Sequence, residues 1–208
     1  MKILVSCLAY DEGKSGISDY INSTVKELVQ VVEKQDGKTL SDTSSSITLL
    51  IHRSDSVIFP VTSPKLHCWF VRDYLKHPLL SMLWHLYVLP LLLTLKKYDL
   101  VFLPAGNRRL MAFYPSKTVV TFHDLSQYHV SGKYDRFRMF YIKHVVPYYL
   151  SKAPHIFAIS ENTKNDLIRF YHIEPSRISV NYNGYSIDKL LNPIPEAEMR
   201  SRFGIQKK

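Results

Sequence analysis

The sequence offers no place for a metal cluster. Its two cysteines, Cys7 and Cys68, are far apart, no Cys-x-x-Cys pair occurs, and the nine histidines are scattered. Both cysteines read as buried, reduced thiols of a cytosolic protein, Cys7 inside an apolar first strand. There is no Gly-x-Ser-x-Gly elbow, which argues against a serine hydrolase. Neither the Rossmann G-x-G-x-x-G nor a Walker A sequence occurs, and no repeat period is visible. No apolar run is long enough to span a bilayer comfortably. The best candidate, residues 79–95, is interrupted by His85 and Pro90 and falls at the lower edge of the ~20 residues a span needs. It is expected to be a core helix. The N-terminus, MKILVSCLAY, runs into Asp11 and Glu12 without a small-residue cleavage site, so it reads as a first strand and not a signal peptide. Acidic residues are also scarce: 18 Asp and Glu face 27 Lys and Arg, a net charge of +9 over 208 residues. Partners should be anionic, and nucleic acid, acidic membrane and phosphorylated small molecules all fit that sign.

What is present alternates. Short apolar runs at 2–8, 47–52, 66–71, 100–103, 119–122, 155–159 and 178–181 read as strands, several of them apolar on both faces. Between them, residues 17–33 repeat apolar side chains at offsets of three and four, residues 79–97 form a long leucine-rich segment, and residues 134–152 and 161–171 read as further helices. Pro90 and Pro147 should kink their helices. Strand–helix alternation predicts an α/β domain built on a doubly wound parallel sheet, Rossmann-like. It occupies residues 1–184, and the Pro-bearing stretch 185–208 reads as a linker and tail.

Four places could carry chemistry. The segment TVVTFHDLS delivers His123 and Asp124 at the end of an apolar strand, where open α/β sheets bind ligands; the same pair could equally cap the following turn. The loop Gly13-Lys14-Ser15-Gly16 joins the first strand to the first helix. There, backbone amides could meet a phosphate, or a glycine could serve a left-handed turn. Ser160 and Glu161 open a helix at another strand end, and Ser160 is a good N-cap. Lastly, Lys133, Arg136, Arg138, Lys143 and Lys152 interleave with Tyr134, Phe137, Phe140, Tyr141, Tyr148 and Tyr149. That mixture suits an anionic lipid surface better than nucleic acid, because no nucleic-acid motif accompanies it. Aromatics at helical spacing are equally the mark of a core face.

In order along the chain, SGISDYINSTVKEL (15–28), YDLVFLP (98–104), VVTFHDLS (119–126), IFAISENTKNDLIRFYHI (156–173) and RISVNYNG (177–184) resemble the N-terminal, acceptor-binding half of a family 4 glycosyltransferase of the GT-B fold. The resemblance implies a retaining transfer from a nucleotide-sugar to a glycan or lipid-linked acceptor, with no cofactor beyond the donor itself. It implies that Ser15, Gly16 and Ile17 face the donor phosphates. His123, with Asp124 beside it, would face the transferred sugar. Ser160, Glu161, Asn183 and Gly184 would line the cleft. Ser18 stands where many relatives carry a third glycine. The family's second half, with its E-x7-E motif, is not represented, so the chain is expected to lack turnover unless a donor-domain polypeptide joins it. A split enzyme, a fragment and a binding-only remnant remain open, as does a non-enzymatic membrane-associated module. The expected location is cytoplasmic, peripheral to the inner face of the membrane.

Overall fold

The computed structural model describes residues 1–36, 45–59, 63–130, 132, 134–184 and 194–204. Seven strands form one all-parallel sheet: β1 (Lys2–Ser6), β2 (Ser46–His52), β3 (Leu66–Val71), β4 (Leu100–Leu103), β5 (Thr118–Phe122), β6 (His155–Ala158) and β7 (Ile178–Val180). Their order is β3-β2-β1-β4-β5-β6-β7. The chain first adds strands to one side of β1, then returns to place β4 on the other. The switch point therefore lies between β1 and β4, the place where open α/β sheets bind ligands outside the carboxyl edge. The predicted fold class is the one observed, and each predicted strand forms with ends shifted by no more than three residues.

Two cores flank the sheet. Helix α1 (Gly16–Asp36) lays Ile21, Val25 and Val32 over Ile3, Val5, Ile47, Leu49 and Phe102 on one face. The other face carries the Pro78–Leu95 helix, the helix at 136–150 and the Glu161–Tyr171 helix. Leu86, Leu89, Leu93, Val146, Leu150 and Leu167 pack there against Leu4, Val101, Leu103, Val120 and Ile156. Cys7 is buried, Cys68 half-buried, and both are free thiols. The tail 194–204, expected to be linker, contains a helix, Glu196–Phe203, ended by Gly204 in the left-handed region.

Both proline-bearing helices solve the same problem in the same way. Pro90 and Pro147 have no N–H to give and crowd the carbonyl one turn back. In each helix the preceding turn widens to π geometry, Trp84–Val88 before Pro90 and Tyr141–Val145 before Pro147.

The Pro78–Leu95 helix departs from the expectation of a core helix. Only 33% of it is buried, and Leu79, Leu83, Tyr87, Leu91 and Leu95 form an outward stripe at i, i+4 spacing. A run apolar all round fixes helix type but cannot say which side faces in. Its inner side is pinned instead by a polar residue. Buried His85 donates from Nδ1 to the Leu110 carbonyl (3.1 Å), leaving Nε2 to accept from the Ser6 hydroxyl (2.9 Å). Burial holds this imidazole neutral, its pKa pushed down to about 3.

Candidate active site at the carboxyl edge of the sheet

His123 emerges from β5 almost fully buried, 8% exposed. Its backbone is held on both sides: the Asn107 side chain accepts from the His123 N–H (2.8 Å), and the Thr163 hydroxyl donates to the His123 carbonyl (3.0 Å). Asn107 also donates to the Asp124 carbonyl (2.7 Å). Nε2 lies 2.8 Å from the Pro104 carbonyl, which can only accept, so the proton is on Nε2 and Nδ1 is the acceptor nitrogen. The Tyr20 ring meets the imidazole edge-on, centroids 5.0 Å apart. Burial lowers the histidine pKa and Arg108 adds to that, while the Pro104 carbonyl and Asp124 oppose it. The result is a neutral, fixed-tautomer imidazole, suited to accepting a hydroxyl proton rather than to acting as a strong acid. The Asp124 carboxylate caps the next turn, where Oδ1 accepts from the Ser126 N–H (3.0 Å) and hydroxyl (2.6 Å).

Beside it, across the switch point, lies a cluster that motif reading missed. Asp11, just beyond β1, accepts from the Ser15 N–H (3.1 Å), the Ser18 hydroxyl and the Arg108 guanidinium (2.9 Å). Arg108 also donates to the Ala9 carbonyl (3.3 Å). Desolvation opposes ionisation of Asp11, but the bonds from Ser18, Ser15 and Arg108 outweigh it and hold the carboxyl well below the usual range. Asp11 and Arg108 thus tie the β1–α1 loop to the β4–β5 loop. The available signal was position: both follow strand ends that flank the switch point.

The cluster fixes the start of α1, whose first backbone amides, at Gly16 and Ile17, have no partner within the helix. Ser15 Oγ is buried without a hydrogen-bond partner. Gly13 is left-handed (φ 79°), as is Glu12 (φ 61°), so the turn uses that glycine. Gly16 is not left-handed, and a Cβ built on it would meet nothing within 4 Å. The fold does not need a glycine there.

Ser160 caps the Glu161–Tyr171 helix, accepting from the Thr163 N–H (3.1 Å), and Glu161 is exposed in the first turn. Thr163 links this cap to His123. Asn183 and Gly184 are exposed beyond β7. Arg136, Arg138 and Lys143 are exposed on the helix at 136–150, while Lys133 lies outside the described residues. A cavity of about 430 Å³ opens at the ends of β2 and β3, lined by Arg53, Phe70, Val71, Arg72 and Asp73. It shares His123's edge of the sheet but lies at the other end of it. Among the described residues no group of His, Cys, Asp or Glu could hold a metal ion.

The fold matches solved glycosyltransferase structures of the GT-B type. One is a glycosyltransferase from Rickettsia africae ESF-5, 12% identical with a TM-score of 0.50, matched over 100% of this chain and 50% of that one. Another is Anabaena HepE, solved in complex with UDP and glucose, 14% identical with a TM-score of 0.53, matched over 98% of this chain and 50% of that one. The chain therefore spans about half the length of the solved structures it matches. No curated protein sequence matches it. The family model described as Glycosyltransferase Family 4 matches residues 47–189, more than half of the sequence. The chain belongs to glycosyltransferase family 4.

Proposed function

We propose that this chain is the acceptor-side half of a retaining glycosyltransferase that moves a sugar from a nucleotide-sugar to a glycan or lipid-linked acceptor. The observation that carries this reading is the pairing, on one sheet edge, of a neutral, fully anchored His123 with a helix start left open at Gly16. A diphosphate approaching Ser15, Gly16 and Ile17 meets unpaired amides and a helix N-terminus, which stabilise a leaving pyrophosphate. The Nδ1 acceptor of His123 receives a hydroxyl of the transferred sugar and orients it. Ser160, Glu161, Asn183 and Gly184 border the acceptor side. Turnover then needs a donor-binding half, which in the split-enzyme form is a separate polypeptide. The test combines this chain with such a polypeptide and measures sugar transfer for wild type and His123→Ala. Loss of ~10²-fold or more is expected. Undiminished transfer by the variant would remove histidine from the mechanism.

The location we propose is the inner membrane surface, with the chain docked through two neighbouring helices. The outward stripe of the Pro78–Leu95 helix meets the 136–150 helix where Tyr87 and Tyr149 share a hydrogen bond (3.1 Å). Phe137, Phe140 and Tyr148 continue the apolar surface, Phe137 at 90% exposure. Neither helix contains an acidic residue, and Lys97, Arg136, Arg138 and Lys143 stand at the rim. Apolar insertion plus ~1 kcal/mol per basic residue near anionic lipid is the physics of a peripheral, not spanning, protein. Flotation with phosphatidylglycerol vesicles should carry the wild-type chain. Leu83→Glu/Leu91→Glu should stay behind, and equal flotation of both proteins would sink the docking face. Vesicle binding with no transfer under any pairing would favour a non-enzymatic membrane module instead.

A further inference from the structure

Arg109 is a half-buried cation whose enclosed side the chain does not neutralise. Its Nη1 donates to the Arg108 carbonyl (2.9 Å), its Nε is buried with no partner, and no carboxylate pairs with it among the described residues. Burial, with the like charge of Arg108, pushes its pKa down to about 10, so it remains protonated at neutral pH. Its surroundings do not compensate. His52 and His85, both near enough to feel its charge, are held neutral by burial, and the nearby Tyr141 is an un-ionised phenol. His52 Nδ1, at the end of β2, is a second buried polar atom without a partner. A cation partly withdrawn from water ordinarily gains a counter-charge, because an enclosed polar atom left unpaired costs free energy. Arg109 lies two residues from Asn107, which positions His123, on the same carboxyl edge.

We propose that Arg109 is the anchor of an oxyanion subsite that receives a phosphate or carboxylate of the acceptor. The planar guanidinium suits either group, since both present two oxygens to its fork. The acceptor is then an anionic one, either phosphate-bearing or an acidic sugar. This rests on the reading of this half as the acceptor side.

The test uses the 208-residue chain without any transfer assay, so its outcome is separable from that of His123→Ala. Thermal unfolding is followed with inorganic pyrophosphate, glucuronate or glucose at millimolar concentration, for wild type, Arg109→Met and Arg109→Lys. Pyrophosphate or glucuronate should raise the wild-type Tm by about 3–5 °C, the shift expected of a ligand at roughly ten times its Kd. Glucose should not. Of the response that Arg109→Met abolishes, a larger share for pyrophosphate identifies a phosphorylated acceptor, and a larger share for glucuronate an acidic sugar. Arg109→Met should unfold at or above the wild-type temperature without ligand and lose the anion response. Arg109→Lys should keep a reduced one. A lower Tm in Arg109→Met together with an unchanged anion response would make Arg109 a structural cation and overturn the proposal, as would glucose matching the anions.

Discussion

The loops that follow β4 and β1 meet at the switch point and are built on opposite principles. After β4, the chain satisfies itself as far as Arg108. Gly106 donates to the Thr121 carbonyl (2.8 Å), Asn107 binds backbone on both sides of the His123–Asp124 peptide, and Arg108 pairs with Asp11. A Cβ at Gly106 would lie 2.4 Å from Val120 Cγ1 and 3.0 Å from the Thr121 carbonyl oxygen. After β1, the loop is anchored through Asp11 but ends in unfilled positions: a glycine with open space, a buried hydroxyl without a partner and the first amides of a long helix. The two consecutive arginines repeat the contrast, Arg108 in an ion pair and Arg109 without one. A residue required by its own neighbours is explained by the fold. A residue whose neighbours do not require it marks where a ligand is to be sought.

The most forceful test of the closed loop is Gly106→Ala. The Val120 methyl and the β5 backbone must both give way, so the variant should lose about 3 kcal/mol, the upper range for overpacking a well-filled core. Urea unfolding gives the number. An unchanged midpoint would mean that the β4–β5 loop is as permissive as its counterpart, and the contrast would fail.

Acid should attack the closed side next. His85 has a folded pKa of about 3 against 6.5 for the free side chain, so between those values the unfolded chain binds a proton that the folded chain refuses. Stability is therefore undiminished above pH 6.5 and falls as pH drops below it, by ~1.4 kcal/mol per pH unit from this residue. Burial displaces His52 and His123 in the same direction and should steepen the fall. Denaturant titrations at pH 7.5 and 5.5 measure it. Equal stability at the two values would show that these imidazoles take up protons in the folded state.

Much of this was legible in the sequence, for identifiable reasons. Runs such as TVVTF and HIFA are too short and too apolar for surface helices, and the sheet places them at β5 and β6. Ser160 reads as a cap from its place before a polar helix start, and it is one. What the sequence concealed is long-range or directional. Asp11 and Arg108 are separated by 97 positions, and no local pattern announces that they pair. The leucine-rich helix shows its type in its composition but not its orientation, so residues expected in the core are exposed, Leu95 at 82%. The uncompensated state of Arg109 is a statement about neighbours from other strands, which sequence spacing does not encode.

The smallest effect on stability is expected at the open loop, and there the comparison becomes sharpest. Gly16→Ala places a methyl where nothing lies within 4 Å, at a backbone conformation that alanine adopts freely. At the first position of a helix this exchange restricts the unfolded chain more than the folded one, so stability should rise by about 0.4–1 kcal/mol. If the space is reserved for a donor diphosphate, the same methyl stands between the phosphate oxygens and the amides of Gly16 and Ile17. Transfer in the presence of a donor-binding half should then fall ~10-fold or more while the fold gains. Gly106→Ala should show the reverse order of effects, with stability lost first and activity only as a consequence. A Gly16→Ala protein that is both more stable and fully active would leave the open space without a ligand, and the start of α1 would be only a helix end.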